Sequence, residues 1–183
     1  MQYLINFVTL SRVLIAPIIF WSITGLENFG LTIFLFILAS ISDFLDGYLA
    51  RLHNLVSELG RILDPIADKI LIAFTLVALT LYLDSFYVGM MTSFILAREF
   101  WVSALREFNA IQNNSNATKV TFLAKIKTTT QFIAIGGYIF SLYLNLSLLI
   151  FISDFILFAA ALITLITGLQ YTTNTFKKDS YKE

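Results

Sequence analysis

The chain has 183 residues, 58% of them hydrophobic and 15% aromatic, with only 13% charged and a formal net charge of zero. Soluble proteins average about 25% charged residues, so this composition excludes an ordinary soluble domain and indicates an integral membrane protein. The absence of cysteine excludes disulfides, thiolate nucleophiles and zinc–thiolate centres, and the single histidine, His53, excludes a multi-histidine metal site.

A helix needs about 20 mostly apolar residues to cross the hydrocarbon. Six stretches qualify, at roughly 8–24, 30–51, 60–83, 86–108, 123–143 and 153–172. They read as helices because backbone groups in lipid must be satisfied internally, and none alternates like a barrel strand. The first run has no basic residue before Arg12 and no small-residue cleavage site after it, so it reads as a retained helix rather than a signal peptide. Asn6, Thr9 and Arg12 open that helix, where capping and interface anchoring account for them. Pro65, near the start of the third run, either bends the helix or marks its first turn. The fourth run carries Arg98, Glu99 and Arg106, and the polar stretch 109–119 follows as the one long loop. Lys125 and Lys127 open the fifth run, and Gly136–Gly137 within it points to a close helix contact. The segment LNLSLLIFIS, 144–153, reads either as an interfacial loop or as the start of the last helix, with Ser153 and Asp154 as caps.

Charge sets the expected orientation. The loops 25–29, 84–85 and 144–152 hold Glu27 and Asp84 but no lysine or arginine. The other side holds Arg51, Arg61, Arg106, Lys119, Lys125, Lys177, Lys178 and Lys182. By the positive-inside rule that side is cytoplasmic, with both termini. The expected fold is an all-α membrane protein of six transmembrane helices. Residues 1–175 form one domain, and 176–183 form a short charged cytoplasmic tail.

Four aspartates break the apolar pattern in one region. Asp43 and Asp46 lie three apart near the end of the second helix, and Asp64 and Asp68 lie four apart near the start of the third. Each pair shares a helix face, and the short connection makes the two helices antiparallel neighbours. A single such acid reads as an interfacial residue paired with Arg51, Arg61 or Lys69. Four converging carboxylates in a partly dehydrated pocket would repel one another unless cations neutralised them. An oxygen-only set favours Mg²⁺ or Mn²⁺, and two such ions balance four carboxylates. A two-metal site suits displacement at phosphorus. Gly47, Ala50 and Gly60 leave space beside the acids, and Arg51 at the edge can clamp a phosphate.

The spacing Asp43-x2-Asp46-Gly47-x2-Ala50-Arg51-x8-Gly60-x3-Asp64-x3-Asp68 resembles the complete signature of the CDP-alcohol phosphotransferases. The stretches NFVTLSRVLIAP, LAREFWVSALRE (96–107) and KIKTTTQ (125–131) are similar to the phosphatidylglycerophosphate synthase branch of that family. The resemblance implies six transmembrane helices around a cavity open to the cytoplasm, in a membrane that is the inner membrane of a bacterium. It implies transfer of a phosphatidyl group from CDP-diacylglycerol to sn-glycerol 3-phosphate, with CMP released. Asp43, Asp46, Asp64 and Asp68 would be metal ligands for two divalent cations, with Asp68 as the general base. Gly47, Ala50, Arg51, Gly60, Asn6 and Thr9 would contact CDP-diacylglycerol. Arg98, Arg106, Lys125 and Lys127 would bind the acceptor phosphate. Lys125 and Lys127 lie about 200° apart on a regular helix, so both cannot point squarely at one site. The family also implies a homodimer in contact with membrane lipid. No nucleic-acid partner and no further cofactor are expected.

Inositol phosphate, phosphatidylglycerol or serine remain alternative acceptors, although serine would not call for a phosphate pocket. A small cation transporter is the rival of another class, since intramembrane acids often mark ion paths.

Overall fold

The computed structural model describes residues 2–53, 58–119 and 121–177; the side chains of 2–9, 43–62 and 64 lie outside the described residues. Among the described residues the chain forms α1 (Gln2–Thr24), α2 (Phe29–His53), α3 (Glu58–Leu83), α4 (Phe86–Ile111), α5 (Phe122–Leu144) and α6 (Ser147–Lys177), with a 3₁₀ turn at Ser115–Thr118. Pro65–Leu83, Phe86–Ile111 and Ser147–Lys177 are each long and apolar enough to cross a membrane, and Leu10–Thr24 and Phe29–Ser42 are shorter apolar segments. The protein is an all-helical membrane protein.

Polar residues with unusual backbone angles make three sharp reversals. Glu27, Asp84 and Asn145 take positive φ values of 49°, 46° and 55°. Asn28 Oδ1 accepts from the Leu31 amide at 3.0 Å, at the start of α2. Ser85 Oγ caps α4 through the Val88 amide at 3.4 Å. The α1–α2, α3–α4 and α5–α6 reversals therefore use two to four residues each. The α4–α5 connection, at the aspartate end, is longer and contains the 3₁₀ turn.

Asn145 also decides the ambiguous segment 144–153. It ends α5 in the left-handed conformation, and α6 starts two residues later at Ser147. Ser153 and Asp154 are thus inside α6 and do not cap it. Ser153 Oγ bonds back to Leu149 O at 2.8 Å instead. Pro65 likewise lies inside α3, seven residues beyond Glu58, and does not mark its first turn. At the other end α6 continues through Lys177, so Phe176 and Lys177 belong to the helix.

The helices pack as a bundle in which α1 lies along both α2 and α3, α5 along α6, and α4 against α3 and α6. Ala16, Ile19 and Ile23 of α1 interlock with Leu71, Leu76 and Leu79 of α3 in the main apolar core. Lipid tails are as apolar as these side chains, so close packing and interhelical hydrogen bonds hold such a bundle. Serine and threonine hydroxyls satisfy themselves on the preceding turn, as in Thr75→Leu71 O at 2.8 Å. Others bridge helices, as in Ser22–Thr32 at 2.7 Å and Asn109→Thr175 at 2.8 Å. The glycine pair in α5 serves contacts within the chain. A Cβ on Gly137 would sit 2.5 Å from Ser153 Oγ of α6, and one on Gly136 would face Phe36 of α2 at 3.8 Å.

Candidate active site

The backbone is helical through all four signature aspartates, Asp43 and Asp46 on α2 and Asp64 and Asp68 on α3. The side chains of Asp43, Asp46 and Asp64, and those of Asn6, Thr9, Gly47, Ala50, Arg51 and Gly60, lie outside the described residues. Asp68 is described. Arg12 Nη1 donates to Asp68 Oδ1 at 2.6 Å, with the arginine fully buried and the aspartate side chain 31% exposed. Because α1 packs along α3, position 12 faces the bundle and not the interface. Arg12 is therefore no interfacial anchor or cap. A buried guanidinium inside an apolar helix keeps its charge only beside an anion, and that anion is on the signature itself.

Beyond Asp68 lies a cavity of about 350 Å³ where α3, α4 and α5 meet. This is within the size range of small-molecule sites. Its polar lining includes Asp68, Lys69, Arg98, Glu99, Arg106 and Lys127. Lys69 reaches from α3 to donate to Ser103 Oγ on α4. Lys127 reaches from α5 to Glu99 Oε1. Arg98 Nη1 donates to the same oxygen at 3.0 Å. Glu99 is thus the shared anion of two buried cations. Counted over the six side chains, four cations face two carboxylates, a formal excess of two positive charges.

Arg98 also fastens α4 to α6. Its Nε donates to Thr164 O at 3.1 Å and its Nη2 to Thr167 Oγ1 at 2.8 Å. Its guanidinium carbon stands 5.7 Å from the Tyr171 ring centroid. The arginine stem crosses α6 at Gly168, where a Cβ would lie 3.0 Å from Arg98 Cγ. Gln131, which also lines the cavity, donates to Thr164 Oγ1 at 3.2 Å. The two lysines of α5 separate as helical geometry requires. Lys127 is buried and lines the cavity, whereas Lys125 is exposed and does not.

Three residues at the site are not assigned to it by sequence pattern. Arg12 has a legible signal, an arginine within an apolar run that must find a partner. By sequence Lys69 is a counter-charge to the aspartates, and Glu99 is a neighbour of Arg98. Their roles depend on α3, α4 and α5 meeting side by side, which no local pattern encodes.

Carboxylate oxygens are the donors that hard divalent cations prefer. Among the described residues no three such side chains come together, and Asp68 Oδ1 is engaged by Arg12. Asp64 stands one helical turn before Asp68 on the same continuous helix.

A family model described as CDP-alcohol phosphatidyltransferase matches residues 3–170. The CDP-diacylglycerol–glycerol-3-phosphate 3-phosphatidyltransferase of Rickettsia bellii (strain RML369-C) is 41% identical over 170 residues, covering 91% of each chain. The protein of the same name from Rickettsia typhi (strain ATCC VR-144 / Wilmington) is 40% identical over 180 residues, 93% of this chain and 96% of its own. That of Shigella flexneri serotype 5b (strain 8401) is 32% identical over 166 residues, 89% of each.

Proposed function

The chain belongs to the CDP-alcohol phosphatidyltransferase family, and from that premise we propose that it is a CDP-diacylglycerol–glycerol-3-phosphate 3-phosphatidyltransferase. It transfers the phosphatidyl group of CDP-diacylglycerol to sn-glycerol 3-phosphate and yields phosphatidylglycerophosphate and CMP. The observation that carries the acceptor assignment is the cavity beside Asp68, whose lining has two more cations than carboxylates. A phosphate monoester is a dianion, and this excess matches it.

Asp43, Asp46, Asp64 and Asp68 hold two divalent cations, Mg²⁺ or Mn²⁺, which when bound supply Lewis-acid polarisation of the pyrophosphate. Gly47, Ala50 and Gly60 give the nucleotide close approach, Arg51 clamps its phosphate, and Asn6 and Thr9 contact it from α1. Lys127 and Arg106 bind the acceptor phosphate, with Lys69 beside them. Arg98 contributes charge while it holds α4 on α6, and exposed Lys125 adds positive potential near the entrance. The acceptor hydroxyl attacks the phosphorus that carries diacylglycerol, the pyrophosphate P–O bond breaks, and CMP takes the bonding pair. Asp68 receives the hydroxyl proton. Arg12 fixes the Asp68 carboxylate so that it faces the cavity.

The same reading places six helices across the inner membrane of a bacterium, with both termini and the cavity on the cytoplasmic side. Residues 1–175 form the single catalytic domain, 176–183 form its tail, whose first two residues are the last of α6, and the working unit is a homodimer in contact with membrane lipid. The basic residues at the aspartate end and the bacterial relatives support this placement.

The acceptor is tested by offering purified protein CDP-diacylglycerol with glycerol 3-phosphate, inositol phosphate, phosphatidylglycerol or serine. Turnover is expected to be fastest with glycerol 3-phosphate. Faster turnover with inositol phosphate would overturn the acceptor and leave the family in place.

A further inference from the structure

The half of the bundle at the sharp reversals contains carboxylates and no base. No lysine or arginine occurs in 13–50, 70–97 or 128–176, and Asp154 is the only charged side chain between Lys127 and Lys177. Asp154 lies about two turns into α6. Its Oδ1 accepts from Tyr138 Oη at 2.5 Å, and its main-chain oxygen accepts from Tyr87 Oη at 3.0 Å. Tyr138 is fully buried, but Asp154 is partly exposed. It lines an open cavity of about 370 Å³ with Tyr87, Phe151, Phe155 and Phe158. Phe151 and Phe155 cross edge to face with centroids 4.8 Å apart, and both are largely exposed on the outside of the bundle. Among the described residues no ion pair reaches Asp154. On its own helix the nearest cation, Lys177, is roughly 34 Å away at 1.5 Å per residue.

We propose that Asp154 and these rings bind the ammonium headgroup of an amine-bearing phospholipid, on the membrane face opposite the signature aspartates. A carboxylate held within an apolar span needs a cation close by, and among the described residues none stands at this end. Aromatic faces attract an ammonium group by their negative quadrupole, and four rings line the same cavity as this residue. The cavity opens to the outside of the bundle, so its occupant comes from the lipid phase. One carboxylate with ring walls offers too few oxygens for Mg²⁺ or Ca²⁺, which take six or more ligands. Tyr138 aims the carboxylate, and Tyr87 anchors the backbone that carries it.

The test is thermal unfolding of the full chain in detergent micelles doped with phosphatidylethanolamine or with phosphatidylglycerol of the same acyl chains. Phosphatidylethanolamine at about ten times its half-saturating level is expected to raise the midpoint by roughly 3–5 °C over phosphatidylglycerol. Asp154→Asn keeps an oxygen for Tyr138 but removes the charge, and it should abolish the rise. Phe155→Leu keeps an apolar wall without the ring and should reduce it. An equal rise in Asp154→Asn, or no rise in the parent across the titration, would overturn the proposal. A rise produced by Mg²⁺ alone or by acidification alone would overturn it as well, in favour of a metal or a bound proton. Asp154→Asn should release CMP within about twofold of the parental rate in micelles free of phosphatidylethanolamine. The lipid site and the transferase reading therefore fail separately.

Discussion

Arg12 has no solvent exposure and is held 2.6 Å from a signature aspartate. Removing it would leave Asp68 without this cation inside the bundle, a loss of roughly 3 kcal/mol by comparison with other buried pairs. Arg12→Ala and Asp68→Asn are therefore both expected to lower the thermal midpoint, and Asp68→Asn, assayed well below its midpoint, should lose turnover by a factor of about 10²–10⁴. Near-normal CMP release by Asp68→Asn would exclude its role as the base. In the acceptor cavity, one charge-assisted hydrogen bond is worth about 1.5–3 kcal/mol. Lys127→Met should accordingly raise KM for glycerol 3-phosphate about tenfold or more, with KM for CDP-diacylglycerol within about twofold. Arg98→Ala should do the same and also lower the thermal midpoint, because its bonds to Thr164 and Thr167 are lost. An equal rise in KM for both substrates would remove these residues from the acceptor pocket. The sequence made the cations visible as a set. It could not rank Lys127 above Lys125 until the helical phase of α5 was known, and it could not pair Arg12 with an aspartate 56 residues away.

At the scale of elements, close approach depends on what is missing. Gly137 lets α5 rest on Ser153 of α6, and Gly168 lets Arg98 cross α6. Gly137→Leu forces the α5–α6 contact apart, at an expected cost of about 1–3 kcal/mol. Thermal unfolding of the solubilised protein measures it, and an unchanged midpoint would show that α5 and α6 are not apposed there. The helices themselves are legible from apolar length alone, and their boundaries differ from the apolar runs by at most six residues. The largest differences, six residues each, are at the starts of α1 and α6. Asn145 can adopt a left-handed turn that hydropathy does not register, so the apolar run from Ser147 to Ile152 joined the helix. Ser153 and Asp154 looked like caps because polar residues in an apolar run usually are. Inside α6 one bonds its own preceding turn and the other accepts from Tyr138.

The molecule as a whole divides by charge along its axis. The cations gather at the aspartate end, and the reversals carry Glu27 and Asp84 with no base. Because the chain has no native cysteine, single cysteines report sidedness cleanly. Glu27→Cys is expected to react with an impermeant maleimide from outside intact cells, and Ser115→Cys only after the membrane is opened. The reverse pattern would invert the proposed topology. Composition marks the membrane class, and the signature marks the family. The cavity beside Asp68, proposed for the acceptor, is not readable as a place, because Lys69, Glu99, Arg106 and Lys127 come from three helices brought together only by packing.

The central claim is tested most directly by CMP release from CDP-diacylglycerol by the purified protein, measured with and without Mg²⁺ and with and without glycerol 3-phosphate. The account expects release that requires both together. Release that needs Mg²⁺ but ignores glycerol 3-phosphate would contradict the acceptor assignment, and no release with any acceptor would contradict the transferase reading altogether.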